Sequence, residues 1–263
     1  MNLIKKIKSI FQKDYTLVLS WWWFRWFYTL WVLKWFEELG FDKKITSIFW
    51  VSIWAIVWSL WAGGTKADEI YDLLSAMTIW KFYSNDIFKK TGWFLSNAKI
   101  QKLIEQHIKK SFSDLNKKLY IWTVDTNTAT YRLFSSWDLQ KIVLWSMSIP
   151  WVFPPVKYKN YCLVDGWVLN NFPVDLAKKM YPHNKIVWVA LNRFTKNQEI
   201  KTVKDNLMVN FEVILKSKLI ENTQDVDILF YREIEIGVLS LDKEKMKKAY
   251  EMWYRDCMKQ FEK

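Results

Sequence analysis

The chain has 263 residues, of which 51% are hydrophobic and 25% charged, and this balance predicts a globular protein with one sizeable core rather than a disordered chain. Its formal net charge of +12 suits an anionic partner such as a membrane surface, although a lysine-rich solvated surface explains the same value. No nucleic-acid-binding motif accompanies the charge, so we expect no nucleic-acid partner. The two cysteines, Cys162 and Cys257, lack metal-ligand spacing and cannot build a disulfide scaffold, which indicates a reducing compartment.

Tryptophan is abundant and glycine scarce. The chain has 19 tryptophans and 6 glycines, and ten of the tryptophans lie between Trp21 and Trp61. At the average usage of about 7%, a chain of this length has roughly 18 glycines. The tryptophans also stand where turns ordinarily need a residue without a side chain. We therefore hypothesise that many of them are glycines in the native protein, encoded by UGA codons that mean glycine and were translated as tryptophan.

Residues 1–14 form a basic segment ahead of the main domain, which we place at 15–263. The lysines Lys5, Lys6 and Lys8 lie opposite apolar residues at helical spacing. Such an amphipathic helix either contacts an anionic membrane surface or packs on the core. No long apolar stretch or cleavage site follows, so we expect a cytoplasmic protein without a secretory signal, held peripherally at the inner membrane face if this helix binds lipid.

The first strand, predicted at 15–20 (YTLVLS), leads into the segment 21–26 (WWWFRW) and a helix closed by Gly40. If these tryptophans are glycines, the loop places backbone N–H groups at a helix N-terminus, where they bind an anion, and Arg25 adds a positive charge. The loop then stabilises an acyl-transfer oxyanion or binds a dinucleotide. The second alternative is weaker, because the acids that it requires, Glu37 or Glu38, fall inside the helix pattern.

Residues 45–62 are apolar enough to be a transmembrane candidate. Tryptophan is spread along the whole stretch instead of gathering at its ends, so we prefer a strand, a sharp turn and a buried helix that ends near Gly63 and Gly64. Residues 50–54 (Trp50, Val51, Ser52, Ile53, Trp54) have the spacing of a nucleophile elbow, G-x-S-x-G, which exposes a reactive serine. We expect tryptophan at 50 and 54 to destroy that turn. The alternative is a buried structural serine.

Later periodicity predicts helices at 67–77, 100–111, 139–147 and 243–261, and strands at 119–125, 130–134, 161–164, 185–191 and 227–230. A proline-rich turn occupies 150–155. Strands separated by helices predict an α/β fold with a mainly parallel sheet and helices on both faces. In such sheets the loops at the carboxyl ends of strands form the site, and the segments 21–26, 50–54 and 165–167 all follow strands.

The third of these segments is Asp165-Gly166-Trp167, which becomes D-G-G if position 167 is glycine. Either Asp165 reaches Ser52 and acts as its base, or Asp165 and Gly166 form an ordinary Asp-Gly turn. The two histidines, His107 and His183, fall on a charged helix face and in a turn, so neither belongs with Ser52. We expect a Ser–Asp dyad in which partial burial raises the pKa of the aspartate and makes it a better base.

In this order the segments resemble the patatin-like phospholipase family, in particular its bacterial members. The blocks that carry the resemblance lie at 21–26 (G-G-G-x-R-G in the family), 27–34, 50–54, 146–154 (SMSIPWVFP), 165–167 and just before Tyr254. The departures are nearly all tryptophan for glycine, at 21, 22, 23, 26, 31, 50, 54, 58, 151 and 167. We assign 35, 93, 122, 137, 145, 188 and 253 to glycine as well, and regard Trp61 and Trp80 as tryptophans.

The resemblance implies a single domain with a three-layer α/β/α fold, and hydrolysis of a lipid acyl ester such as a phospholipid or lysophospholipid. It implies that Ser52 is the nucleophile, that Asp165 is the general base, and that no metal or cofactor takes part. It also implies an oxyanion hole formed by four residues: Trp21, Trp22, Trp23 and Arg25. If the tryptophans are real, the alternative is a non-catalytic membrane-interacting protein, because a Trp-rich loop leaves no oxyanion hole.

Overall fold

This computed structural model describes residues 14–19, 26–75, 97–150, 153–170, 172–190, 200–203, 205–206, 209–210, 213 and 223–231. The chain divides into two compact units, one comprising Ile45–Leu169 and the other Met1–Lys44 with Asn170–Lys263. The strands are β1 (Tyr15–Leu19), β2 (Ile45–Trp50), β3 (Lys118–Asp125), β4 (Thr130–Phe134), β5 (Val156–Tyr158), β6 (Tyr161–Asp165), β7 (Lys185–Ala190) and β8 (Ile228–Tyr231). The α-helices are α1 (Trp26–Glu38), α2 (Ala55–Ala62), α3 (Ala67–Ser75), α4 (Asn97–His107), α5 (Leu139–Ser146) and α6 (Val174–Met180).

In the unit Ile45–Leu169, β3 is the central strand. It pairs in parallel with β2 and antiparallel with β4 and β6, and β6 pairs antiparallel with β5. Every residue of β3 after Lys118 is buried, because helices and neighbouring strands cover it, and aromatic and β-branched side chains fill such a strand well. The rings of Phe49 and Tyr120 stack with centroids 4.5 Å apart, which fixes β2 against β3.

In the other unit, β1 pairs in parallel with β7, and β7 pairs in parallel with β8. All residues of β1 are buried, and α6 packs on β1 and β7. Aromatic side chains close the end of α1, where the ring of Phe41 lies 4.8 Å from Phe36 and 4.7 Å from Tyr15. Gly40, at φ +68°, ends this helical region as the sequence predicted, because glycine adopts the left-handed conformation without strain.

The stretch 45–62 is a strand, a turn and a short helix rather than a membrane span, as the preferred interpretation predicted. The helix α2 has 8 residues, all buried, which is far shorter than a bilayer requires. Within the part of the chain that the structure describes, no helix is both long enough and apolar enough to cross a membrane.

Strand pairing is mixed, whereas the sequence indicated a mainly parallel sheet. The parallel pairs are β2–β3 in the unit Ile45–Leu169, and β1–β7 and β7–β8 in the other unit. β3 and β6 pair antiparallel although they are far apart in the chain. The other two antiparallel pairs, β3–β4 and β5–β6, arise from short connections, since strands joined by a few residues can only run antiparallel. Left-handed residues make both turns possible: Ala129 (φ +52°) before β4 and Lys159 (φ +51°) before β6. The α/β class itself is confirmed.

The clearest differences from the sequence analysis are one helix end and two short elements. The helix predicted at 100–111 ends at His107, because Ser111 caps a 3-10 turn at Phe112–Asp114 with its hydroxyl. The three-residue β5 and the seven-residue α6 were not predicted, since so short a stretch carries no clear periodicity. The predicted helix at 243–261 and residues 1–13 of the basic segment at 1–14 lie outside the described residues, and the single domain at 15–263 stays a prediction.

Candidate active site

The turn after β2 has the strained backbone of a nucleophile elbow. β2 ends at Trp50, a 3-10 turn covers Ser52–Trp54, and α2 follows directly. Ser52 has φ +77°, in the left-handed region that a side chain makes unfavourable by about 1–3 kcal/mol, and its side chain is 0% exposed. Such strain persists only where the surrounding structure imposes it, and it falls on the serine that the spacing singled out.

The expectation that tryptophan at 50 and 54 destroys this turn is wrong for this structure. Trp54 has an ordinary helical backbone (φ −72°, ψ −12°), so no positive φ is required there. Trp50 and Val51 are buried, and the Trp50 ring packs 5.8 Å from that of Trp58. The misfit appears instead in polar contacts, because the buried Trp50 Nε1 has no hydrogen-bond partner among the described residues. Of Ile53 only the backbone is described.

Asp165 ends β6 and begins the 3-10 turn Gly166–Val168. Its side chain is 0% exposed, and one carboxylate oxygen, Oδ1, accepts the Trp167 N–H at 3.1 Å. Its own backbone N–H donates to the Ser148 carbonyl at 2.9 Å. Within the described part of the chain, the second oxygen, Oδ2, has no hydrogen-bond partner. A buried carboxylate with one unsatisfied oxygen is poorly stabilised as a structural element, and such groups concentrate at functional sites.

Strand register brings Ser52 and Asp165 to the same stretch of β3. Trp50, two residues before Ser52, pairs with Ile121, and Asp165 pairs with Thr123, two residues after Ile121. The sequence placed Asp165 among aligned carboxyl ends of parallel strands. β6 instead runs antiparallel to β3. Asp165 lies at the site because it is the last residue of β6 and pairs with Thr123, close to the residue of β3 that pairs with Trp50.

Burial raises the pKa of Asp165 well above the usual range of an aspartate. The Ser52 hydroxyl opposes this rise, as do the N–H groups of Trp167 and Gly166, so Ser52 lies close enough to act on the carboxyl. The contact nevertheless lacks the geometry of a formed hydrogen bond, since neither Ser52 Oγ nor Asp165 Oδ2 has a partner by distance and angle among the described residues. Catalytic hydrogen bonds are often long before substrate binds.

Gly166 fits its position because no side chain can. A Cβ there would lie 2.3 Å from Trp122 Cδ1, 2.5 Å from Val51 Cγ2 and 2.6 Å from the Trp122 carbonyl oxygen. The Trp122 indole N–H also donates to the Gly166 carbonyl at 3.3 Å. The Asp-Gly pair is therefore held directly against the elbow residue Val51, while Trp167 is buried beside it.

A family model described as patatin-like phospholipase matches residues 24–178, more than half of the chain. The chain belongs to this family. It is 30% identical over 165 residues to a probable lipid hydrolase of Invertebrate iridescent virus 6, covering 54% of this chain and 56% of the relative. It is 26% identical over 194 residues to an uncharacterised protein of Acanthamoeba polyphaga mimivirus, covering 66% and 64%. The chain thus spans less than two thirds of the length of either curated relative.

Among solved structures, the patatin-like chain matches that of VipD from Legionella pneumophila with a TM-score of 0.62 and 13% identity, covering 95% of this chain and 66% of VipD. At that identity the likeness shows the fold alone. The expected patatin-like α/β fold is therefore confirmed, whereas the roles of Ser52 and Asp165 remain predictions.

One contact of the elbow in this patatin-like chain was not predicted from the sequence. The Ser52 N–H donates to Ser146 Oγ at 2.8 Å in a fully buried hydrogen bond. The sequence marked 146–154 as a family-like block but gave no role to any residue of it. Two further buried hydroxyls at this site, those of Thr123 and Ser148, have no hydrogen-bond partner among the described residues.

Other predicted site residues lie elsewhere or outside the described residues. The oxyanion loop residues Trp21, Trp22, Trp23 and Arg25 are outside the described ranges, as is Trp151. His107 and His183 are exposed, as the sequence indicated, and Glu37 and Glu38 belong to α1, so the argument against a dinucleotide site holds. In the described ranges, no group of three or more histidine, cysteine or acidic residues is arranged to hold a metal ion.

Proposed function

We propose that this patatin-like chain hydrolyses lipid acyl esters, with Ser52 as nucleophile and Asp165 as general base. The observation that carries the proposal lies on one stretch of β3: a serine with φ +77° comes close to a buried carboxylate, one oxygen of which has no hydrogen-bond partner among the described residues. Membership of the family and the 30% identity to a probable lipid hydrolase support the substrate class.

In this mechanism Asp165 Oδ2 removes the proton from Ser52 Oγ while that oxygen attacks the ester carbonyl carbon. The tetrahedral intermediate collapses, the C–O bond to the alcohol breaks, and protonated Asp165 returns the proton to the leaving alcohol. Water then attacks the acyl-enzyme with Asp165 again as base, which releases the fatty acid and restores Ser52. The raised pKa of Asp165 suits this role, because a base works best when its pKa approaches the working pH.

The oxyanion must be stabilised by donors other than the Ser52 N–H, because Ser146 already accepts that hydrogen. We propose that the loop amides at 21–23, together with Arg25, supply them. Loss of one donor of this kind raises a reaction barrier by about 3–4 kcal/mol. In the sequence, this loop follows β1 and precedes α1.

We further propose that the native protein has glycine at the family's glycine positions, and that the chain with tryptophan there is inactive. Trp137, one of the positions assigned to glycine, supports this, because its φ of +88° is far outside the usual range of a bulky residue. The Trp137 side chain is 47% exposed, and its ring packs on those of Trp145 and Tyr158. At Trp54 the backbone gives no such support, so the claim there rests on the family pattern.

If the native protein does have tryptophan at these positions, the non-catalytic alternative is favoured. Ser52 and Asp165 are both fully buried, and the tryptophans that flank them in sequence, Trp50 and Trp167, are only 4% and 3% exposed. A lipid ester needs a path to Ser52 Oγ, and replacing these indoles with hydrogen is the simplest way to open one.

The test compares two full-length chains, one as printed and one with glycine at the ten positions where the family has it. Each is assayed for fatty-acid release from phospholipid in mixed micelles, beside its Ser52→Ala and Asp165→Asn variants. We expect activity only in the glycine-bearing chain and its loss in both variants. No activity in either chain contradicts the hydrolase proposal. Activity of the printed chain that Ser52→Ala removes contradicts the glycine requirement.

Mass spectrometry of native peptides covering 16–34 and 45–66 decides the residue identity directly. Glycine masses at 21–23, 50 and 54 support the decoding proposal, and tryptophan masses there contradict it.

Sedimentation with anionic liposomes tests peripheral membrane contact, for which the net charge of +12 is the support. No binding at low salt contradicts that contact.

A further inference from the structure

We propose that Ser146 is a positioning residue for the nucleophile: its hydroxyl oxygen binds the Ser52 N–H and keeps Ser52 in its left-handed conformation. The inference rests on the proposed role of Ser52 as nucleophile. The bond is short, at 2.8 Å, and joins residues 94 positions apart in the chain. It therefore ties the elbow to a different element of the fold.

Ser146 is held firmly enough to serve as a reference point. It is the last residue of α5, which starts at an Asp138 cap whose carboxylate accepts the Lys141 N–H at 3.0 Å. α5 packs against β3, β6 and the 3-10 turn Ser52–Trp54, so it contacts the elements that carry both Ser52 and Asp165. The Ser146 side chain is fully buried, so water does not compete for its hydroxyl.

The same short segment also holds the proposed base. Two residues after Ser146, the Ser148 carbonyl accepts the Asp165 N–H at 2.9 Å. The segment 146–148 thus binds one backbone N–H of each proposed catalytic residue and sets where the two stand relative to each other. The contact to Asp165 uses main-chain atoms alone, whereas the contact to Ser52 depends on a side chain. A substitution at Ser146 can therefore remove the contact to Ser52 and leave the contact to Asp165 in place.

Without the Ser146 hydroxyl, the Ser52 N–H is left buried and unpaired in a strained turn. A buried donor without a partner favours any rearrangement that lets it find one, and the left-handed conformation of Ser52 would relax in the same process. Relaxation moves Oγ away from its attack position but leaves the substrate-binding surface in place. The expected signature is a loss of kcat with little change in KM.

The test uses the full-length chain that hydrolyses phospholipid and three variants: Ser146→Ala, Ser146→Thr and Ser59→Ala. Ser59 is the matched control, since it is a buried serine of α2 whose hydroxyl has no partner among the described residues. We expect Ser146→Ala to lower kcat about 10- to 100-fold with KM within about twofold, the range that follows from losing one buried hydrogen bond. Ser146→Thr should recover most of the loss, and Ser59→Ala should match the parent.

Hydrogen exchange read by mass spectrometry on the peptide covering 48–55 provides a measurement that does not need activity. Ser146→Ala should accelerate exchange in this peptide, whereas Ser59→Ala should not, with circular dichroism confirming that each variant is folded. Unchanged kcat and unchanged exchange in Ser146→Ala overturn the inference. If Ser52→Ala retains hydrolysis, the proposed function fails, and the exchange result alone then decides whether Ser146 holds the turn.

Discussion

Asp125 and Asp165 are two buried aspartates on directly paired strands, β3 and β6, yet their surroundings are opposite. Asp125 Oδ1 accepts the N–H groups of Asn127 and Cys162 at 3.2 and 3.1 Å, and its Oδ2 accepts the Thr128 hydroxyl at 3.0 Å. Asp165 accepts one formed hydrogen bond, and its Oδ2 has no partner within the described ranges.

The pKa values of the two carboxyl groups diverge accordingly. Burial pushes the pKa of Asp125 upward, but its hydrogen bonds and the charge of Arg132 outweigh burial and lower it from the ordinary value. At Asp165 burial outweighs the hydrogen bonds and raises the pKa well above that value. A carboxylate whose hydrogen-bonding capacity is used is a structural group, whereas one left short of partners is ready to accept a proton.

The largest expected difference is in activity. In the glycine-bearing chain, Asp165→Asn should lower kcat about 10²–10⁴-fold, because a general base contributes that much. Asp125→Asn should leave kcat near that of the parent but lower Tm, because an amide nitrogen cannot accept the Thr128 hydroxyl. Steady-state kinetics and thermal unfolding of both variants check this. Equal losses of activity would remove the distinction between the two carboxylates.

The close packing at Gly166 gives the next largest effect. Gly166→Ala places a Cβ 2.3 Å from Trp122 Cδ1 and 2.6 Å from a backbone oxygen, so we expect a loss of about 1–3 kcal/mol in unfolding free energy, with Asp165 displaced. Gly63→Ala is the matched control, since its nearest contact is at 3.0 Å and its φ is −77°. Chemical denaturation measures both. A Gly166→Ala chain as stable as Gly63→Ala would show that the Asp165 turn is not tightly held.

The pH dependence of the unfolding free energy should show a smaller difference between the two aspartates. Because the folded pKa of Asp165 is raised, the folded state holds a proton that the unfolded chain loses near pH 3.9, so this contribution to stability falls as pH rises through the raised pKa. Asp125, with a lowered pKa, contributes stability at higher pH that is lost on acidification. Denaturation of Asp165→Asn across this range should therefore show a gain relative to the parent that grows with pH. A gain independent of pH would contradict the raised pKa.

The smallest effect is expected from Thr128→Ala. Removing this hydroxyl should raise the pKa of Asp125 toward its ordinary value, only partly because the Cys162 and Asn127 N–H groups remain. The pKa of Asp165 should not move, since no described hydrogen bond joins it to Thr128. Carboxyl carbon NMR titration measures both groups at once. A matching shift at Asp165 would mean that the two sites are coupled through β3.

Much of the fold was open to prediction because it is encoded locally. The strand at Thr130–Phe134 was located to the residue, and the strand–turn–helix in 45–62 was separated from a membrane span by its residue pattern. The antiparallel direction of β6 was not foreseen. It depends on which strand β6 pairs with, and a single sequence carries no direct record of that partner.

By itself, the sequence determined the α/β class and the family and proposed Ser52 and Asp165 as site residues, because motif spacing and periodicity are local properties of the chain. Only the tertiary structure decided that the Ser52 N–H bonds to Ser146 and that Asp165, unlike Asp125, has an oxygen without a hydrogen-bond partner in the described part of the chain. Both facts depend on contacts between residues far apart in sequence. Burial and hydrogen bonding, which set the pKa and the strain of a group, exist only once those residues have packed together.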